Sequence, residues 1–160
     1  MLATQVMSRN VATCRPNDTL DAAACRMWQR DIGCLPVVDD SNRVTGILTD
    51  RDICMAAYTQ GRRLADMLVS SAMARTVFCG TIVDRVEDIE AVMRAYKVGR
   101  VPILDEQKHV VGVVSFKDLV REAAEQRTRR NPDLSAAEIV TTLASIGEPR
   151  HTEALLLAAE

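Results

Sequence analysis

Two short segments carry the same pattern of residues able to hold an anion and a sugar. Gly46-Ile-Leu-Thr49-Asp50-Arg51-Asp52 and Gly112-Val-Val-Ser115-Phe116-Lys117-Asp118 each read Gly, two apolar residues, a hydroxyl, any residue, a basic residue, Asp. At a helix start, the hydroxyl, the free backbone N–H groups and the cation suit a phosphate. The carboxylate can accept hydrogen bonds from ribose hydroxyls, as an acidic residue does in dinucleotide folds. Thr49, Arg51, Asp52, Ser115, Lys117 and Asp118 are therefore candidate ligand contacts. The same spacing has a purely structural reading, because Thr49 with Asp52 and Ser115 with Asp118 match the capping box that satisfies helix N–H groups. Two features point toward a ligand. The glycine lies inside a predicted strand, where it costs stability unless backbone or ligand approaches closely. The basic residue lies in the first helical turn, which the helix dipole disfavours unless an anion is near.

Other chemistries find little support. There is no Ser/His/Asp or Cys/His constellation and no G-x-x-x-x-G-K-[ST] loop, and neither His109 nor His151 falls in the repeated pattern. No enzyme is expected. The five cysteines are an odd number, widely spaced and without a C-x-x-C. They read as small buried residues, reduced in a cytoplasmic protein, and argue against a zinc site. A formal charge of −2 across 160 residues excludes a broad basic surface for nucleic acid. No apolar run approaches the roughly 18 residues of a membrane span, and the first residues do not read as a secretory signal. With only five aromatic residues, Val, Ile, Leu, Met and Ala must fill the core.

The elements that must position the two motifs are themselves repeated. A shift of 66 positions aligns residues 7–57 with 73–123 without a gap. It pairs Met7 with Met73, Asp18 with Asp84, Gly33 with Gly99, Pro36 with Pro102, Gly46 with Gly112 and Asp52 with Asp118. Each copy predicts β-α-β-β-α. A short extended piece (11–14; 77–79) precedes a helix for which Asp18 or Asp84 is a reasonable N-cap. Leu20, Ala23, Ala24, Met27 and Trp28 share one face of the first helix; Val86, Ile89, Val92, Met93 and Tyr96 share one face of its counterpart. Gly33 and Gly99 are expected to stop these helices. Two β-branched runs then form a hairpin across a polar turn, and a second helix follows. Residues 64–73 are predicted to connect the copies as a helix, with 1–7 in the same role before copy one. The divisions expected are 1–61, 62–127 and a helical extension, 128–160. A single copy buries little surface; two packed about a pseudo-two-fold share a core and leave two related clefts.

These residues bring a family into view. Ile32-Gly-Cys-Leu-Pro-Val-Val-Asp39 with Val44-Thr-Gly-Ile-Leu-Thr-Asp-Arg-Asp52, and Val98-Gly-Arg-Val-Pro-Ile-Leu-Asp105 with Val110-Val-Gly-Val-Val-Ser-Phe-Lys-Asp118, resemble two cystathionine-β-synthase (CBS) domains forming a Bateman module. The resemblance implies an α+β fold of two tandem repeats. It also implies a regulatory module that takes AMP, ADP, ATP, NAD or S-adenosylmethionine in its clefts, with no obligatory cofactor. By position it places Asp52 and Asp118 on ribose, and Thr49, Ser115, Arg51 and Lys117 toward phosphate. Arg100 occupies the place of a phosphate-binding arginine, with a salt bridge as its alternative role. Thr13, Cys14, Pro36, Cys79, Gly80 and Pro102 would line the base pocket. Cys34 stands where Arg100 stands in the other copy, so unequal clefts are expected. Asp52→Ala or Asp118→Ala should then weaken nucleotide binding with little loss of fold.

Beyond the repeat, Ser135 and Glu138 form a capping box that opens a helix ended by Gly147, with Ile139, Leu143 and Ile146 as its apolar stripe. That stripe must dock on its own module or, by preference, on a second subunit. A further short helix is predicted at 152–159, and Arg127-Thr-Arg-Arg130 reads as a solvated helix end or linker. Two functions follow: a nucleotide sensor acting in trans on an effector protein as a homodimer, or a ligand-independent assembly module.

Overall fold

The computed structural model describes residues 1–126 and 134–149. The repeat becomes two matched halves of a mixed α+β fold. Copy one holds α1 (Leu20–Arg30), β1 (Cys34–Val38), β2 (Val44–Thr49) and α2 (Asp50–Gln60). Copy two holds β3 (Gly80–Thr81), α3 (Val86–Tyr96), β4 (Arg100–Leu104), β5 (Val110–Ser115) and α4 (Phe116–Gln126), and α5 (Ala136–Gly147) follows. Both hairpins form as the β-branched runs require. Pro36 faces Ile47 and Pro102 faces Val113, and each ladder shifts register at the same place, after Val37 and after Ile103. β3 joins β4 in parallel, one residue later than the 77–79 expected. In copy one the same role shrinks to a single parallel bridge between Cys14 and Val37.

Two cores result. One gathers Leu20, Ala23, Met27, Leu35, Val37 and Leu48; the other gathers Val86, Ile89, Met93, Val101, Ile103 and Val114. The predicted helix faces are right at these positions but end short of the aromatics: Trp28 is 88% exposed and Tyr96 half exposed. The cysteines divide too. Cys14 and Cys34 are buried, Cys79 is intermediate, and Cys25 and Cys54 are exposed.

The helix ends differ from expectation for a local reason. Thr19 is the N-cap of α1, accepting from Ala22 N at 3.2 Å, and Arg85 is the N-cap residue of α3, its N–H donating to Asp88 at 3.0 Å. Asp18 and Asp84 instead brace the preceding turns, accepting from Arg15 N and Thr81 N. The left-handed residues that end α1 and α3 are Asp31 and Lys97, not Gly33 and Gly99.

The leading segments cross between copies. Ser8 pairs with Val113 of β5, and Ala74 pairs with Ile47 of β2; Leu2 pairs with Arg85, and Leu68 with Thr19. Ala3 N donates to Asp84 O at 2.9 Å, and Val69 N to Asp18 O at 2.8 Å. Each contact has its counterpart 66 positions on, so the exchange follows the pseudo-two-fold. At the axis the two hairpin turns meet, Arg43 against His109. Ala3 and Met7 thereby enter copy two's core, and Met67 and Val69 enter copy one's. The segment 64–73 is not the single helix expected. It folds as two 3₁₀ turns (Leu64–Asp66 and Val69–Ser71), because its backbone is spent on pairing with copy one.

The exchange also explains the strand glycines. A Cβ on Gly112 would lie 2.2 Å from Met7 Sδ, and one on Gly46 would lie 2.9 Å from both Met73 Sδ and Ala74 O. The close neighbour is the other copy's lead-in, not a ligand.

α5 opens on its capping box, Glu138 N donating to Ser135 Oγ at 3.2 Å. It docks on its own module rather than awaiting a second subunit. Leu134, Ile139 and Ile146 join copy two's core. Thr142 Oγ1 donates to the buried Glu90 at 3.0 Å and accepts from Arg94 at 2.8 Å. Leu143 and Val140 stay exposed. The basic cluster at 127–130 and the helix expected at 152–159 lie outside the described residues.

Candidate functional site

Both repeated motifs build the capping box in full. At the β5–α4 junction, Ser115 N and Oγ both donate to Asp118 Oδ2, at 2.8 and 2.6 Å, and Asp118 N donates back to Ser115 Oγ at 3.3 Å. At the β2–α2 junction, Thr49 and Asp52 repeat this at 2.8, 2.6 and 3.2 Å. One carboxylate oxygen in each motif is therefore committed to the helix. Asp118 Oδ1 takes the guanidinium of Arg121, a residue the sequence pattern did not single out although it lies one helical turn on.

A cavity of about 360 Å³ opens between the copies over the second junction. Copy two contributes Ser115, Lys117, Asp118, Arg121 and Arg100; copy one contributes the apolar wall of Val11, Ala12, Ile32 and Pro36. The volume falls in the range of small-molecule sites, and few polar groups converging on an apolar wall is their usual make-up. Of the expected site residues, Pro36, Arg100, Ser115, Lys117 and Asp118 meet here. Thr13, Cys14, Thr49, Arg51, Asp52, Cys79, Gly80 and Pro102 do not line it. Cys14 is instead bonded into the sheet edge, its N–H donating to Pro36 O at 3.1 Å. Gly80 is packed against Ile89 and Ile103.

Arg100 reaches across to copy one. A Cβ on Gly33 would stand 2.9 Å from its Nη2 and 2.8 Å from Asp50 Oδ2, so the absent side chain leaves room for both. The guanidinium draws the Cys34 thiol down, but burial dominates and pushes it up to about 11. Burial likewise pushes Cys14 up to about 12 and raises Cys79. All three stay protonated near neutrality, which suits packing and not nucleophilic work.

The pseudo-symmetric position is lined differently. Where the first cleft has Ala12, Lys117 and Arg121, the shift of 66 puts Phe78, Arg51 and Met55. Phe78 stacks on Tyr96, with ring centroids 3.7 Å apart and planes within 10°. An aromatic pair thus stands on that side.

Two copies of one α+β unit, joined by exchanged lead-ins around a cleft, define a tandem regulatory-type fold. The family model described as CBS domain matches twice, at residues 3–58 and 69–125, and the chain belongs to that family. A CBS domain-containing protein of Bacillus subtilis, YhcV, is 37% identical over 113 residues, 71% of this chain and 79% of that one. Hypoxic response protein 1 of Mycobacterium tuberculosis is 30% identical, covering 77% and 85%. The solved CBS domain pair of protein MJ0100, in complex with 5′-methylthioadenosine and S-adenosyl-L-methionine, superposes with a TM-score of 0.69 at 27% identity, covering 76% of this chain and 98% of that chain. Hypoxic response protein I was solved with two coordinated zinc ions. Among the described residues of this chain, no three His, Cys, Asp or Glu side chains are grouped to hold a metal.

Proposed function

We propose that the protein is a non-catalytic sensor that binds an adenosine-containing ligand, such as AMP, ADP, ATP or S-adenosylmethionine, in the cleft over the β5–α4 junction. The observation that carries this reading is the convergence of Arg100, Lys117 and Arg121 with Ser115 and Asp118 opposite an apolar wall. Ribose hydroxyls would compete with Arg121 for Asp118 Oδ1 and free that guanidinium, with Lys117 and Arg100, for phosphate. The adenosine ligands held by the MJ0100 pair support the ligand class. Ligand contacting both copies at once would favour one arrangement of them, which is what a signal to an effector in trans requires. Homodimerisation and a cytoplasmic setting belong to the same proposal. Exposed apolar side chains that a second copy could cover include Trp28 on α1, Met55 and Tyr58 on α2, and Val140 and Leu143 on α5.

A thermal-shift series with AMP, ADP, ATP and S-adenosylmethionine tests the reading. A ligand at a hundred times its dissociation constant should add about 2.7 kcal/mol of stability. No shift with any of them leaves the assembly module as the function.

A further inference from the structure

We propose that the apolar segment at 152–159 folds back onto copy one and seats there as α5 seats on copy two. The pseudo-two-fold supplies the seat. α5 packs on α3 and α4. Glu90 and Arg94 bond its Thr142, Lys97 pairs with Glu148 at 2.9 Å, and a Cβ on Gly99 would meet Ile146 at 3.9 Å. The counterparts of these four residues, 66 positions earlier, are Ala24, Trp28, Asp31 and Gly33. All four line one cavity of about 450 Å³, together with Ile53 and Cys54 of α2. Among the described residues, the place that a helix fills on copy two is thus an open groove on copy one.

The changed side chains define what fits. Glu90 and Arg94 hold a threonine; in their places Ala24 and Trp28 offer a methyl group and an indole, which favour apolar side chains. The rim carries both signs, Asp31 and Asp50 beside Arg100 and Lys117, so it selects no partner by charge. Residues 154–159, Ala-Leu-Leu-Leu-Ala-Ala, are an unbroken apolar run, flanked by Arg150 and His151 on one side and by Glu153 and Glu160. The chain also leaves α5 beside the groove. Lys97 Nζ donates to Pro149 O at 3.5 Å, Ile146 lies by Gly99, and the adjoining Arg100 lines the groove itself. From there, three extended residues and an eight-residue helix span about 22 Å. A seated run completes copy one as α5 completes copy two. It also borders the first cavity, since Ile32, Gly33 and Arg100 line both. The seat does not depend on what the first cavity binds.

Trp28 is the only indole in the chain, so its fluorescence reports on the seat alone. In the full chain, Trp28 emission should be blue-shifted and poorly quenched by acrylamide. Leu155→Ser, Leu156→Ser and Leu157→Ser made together should raise the quenching constant several-fold and move emission to the red, with the cooperative thermal transition retained. Cys54 gives a second reading, because it lines the groove and the exposed Cys25 does not. The triple variant should speed alkylation of Cys54 and leave that of Cys25 unchanged. If Trp28 is as open to acrylamide in the unaltered chain as in the variant, the proposal is overturned. Shielding that vanishes on dilution, as sedimentation velocity follows the mass, overturns it as well, since a second copy then fills the groove. Shielding that survives the triple substitution does the same, because another occupant holds the seat.

Discussion

Lys117 and Asp118 are neighbours in the chain but stand in different relation to the fold. Asp118 is 7% exposed and caps α4 through Ser115. Asp118→Ala should therefore cost about 1–2 kcal/mol of stability, besides any loss of ligand, which replaces the expectation that the fold would hardly notice. Lys117 is exposed and supports no element. Lys117→Ala should leave the melting temperature unchanged and weaken a phosphate-bearing ligand about tenfold, roughly 1.4 kcal/mol. Calorimetry and thermal denaturation on both variants separate the two roles. The motif was legible in the sequence because hydroxyl, cation and carboxylate recur at one spacing. What the motif could not show is that Asp118 divides its two oxygens, Oδ2 to the capping box and Oδ1 to Arg121. Arg121 went unseen for a related reason: its copy-one counterpart is Met55, and a search for repetition passes over it.

At the scale of elements, strands and hairpins were legible because β-branched runs, prolines and polar turns recur in register. The ends of α1 and α3 were not. Asp31 and Lys97 adopt the left-handed conformation that favours glycine, at φ 51° and 53°, each held by its own N–H bond back to the helix. The strand glycines were legible as close approaches, but their partner is fixed only by tertiary packing. Gly112→Ala should force Met7 from its seat and destabilise by about 1–3 kcal/mol. Met7→Ala combined with Gly112→Ala should cost less than the sum of the two singles, measured by urea denaturation, because each removes the other's clash or contact. The docking of α5 gives a second prediction. Burial raises Glu90 above the ordinary carboxylate range, against the hydrogen bond from Thr142 and the charge of Arg94, with Glu138 and Glu87 adding to the rise. The native state thus holds this proton more tightly than the unfolded chain does. Its contribution to stability is full below the unfolded value and declines as pH rises through the folded one. Glu90→Gln keeps an acceptor for Thr142 and removes that decline, so its stability relative to wild type should improve between pH 4 and pH 7.5 in denaturant titrations.

For the whole molecule, the sequence repeat predicts a pseudo-two-fold, and the structure realises it in paired bridges 66 positions apart. The departures from symmetry distinguish this chain: α5 covers copy two only, and Trp28, Met55 and Tyr58 are left bare on copy one. If a homodimer forms, Tyr58→Glu and Leu143→Glu mark the face used, since only the variant that breaks the contact should run as a monomer in sedimentation velocity. Which apolar residues face out could not be read from a helical stripe, because the stripe on α5 splits between core (Ile139, Ile146) and solvent (Leu143).

The crossing of the lead-in segments has a consequence for how the chain could ever be divided. A cut at Gly61 would leave an N-terminal fragment carrying Ala3 and Met7, which fill the other fragment's core, and lacking Met67 and Val69, which fill its own. Each piece by itself would lack side chains that complete its core. The two would have to find each other again and re-thread, so that severing the backbone between the repeats yields a noncovalent pair in place of two independent units.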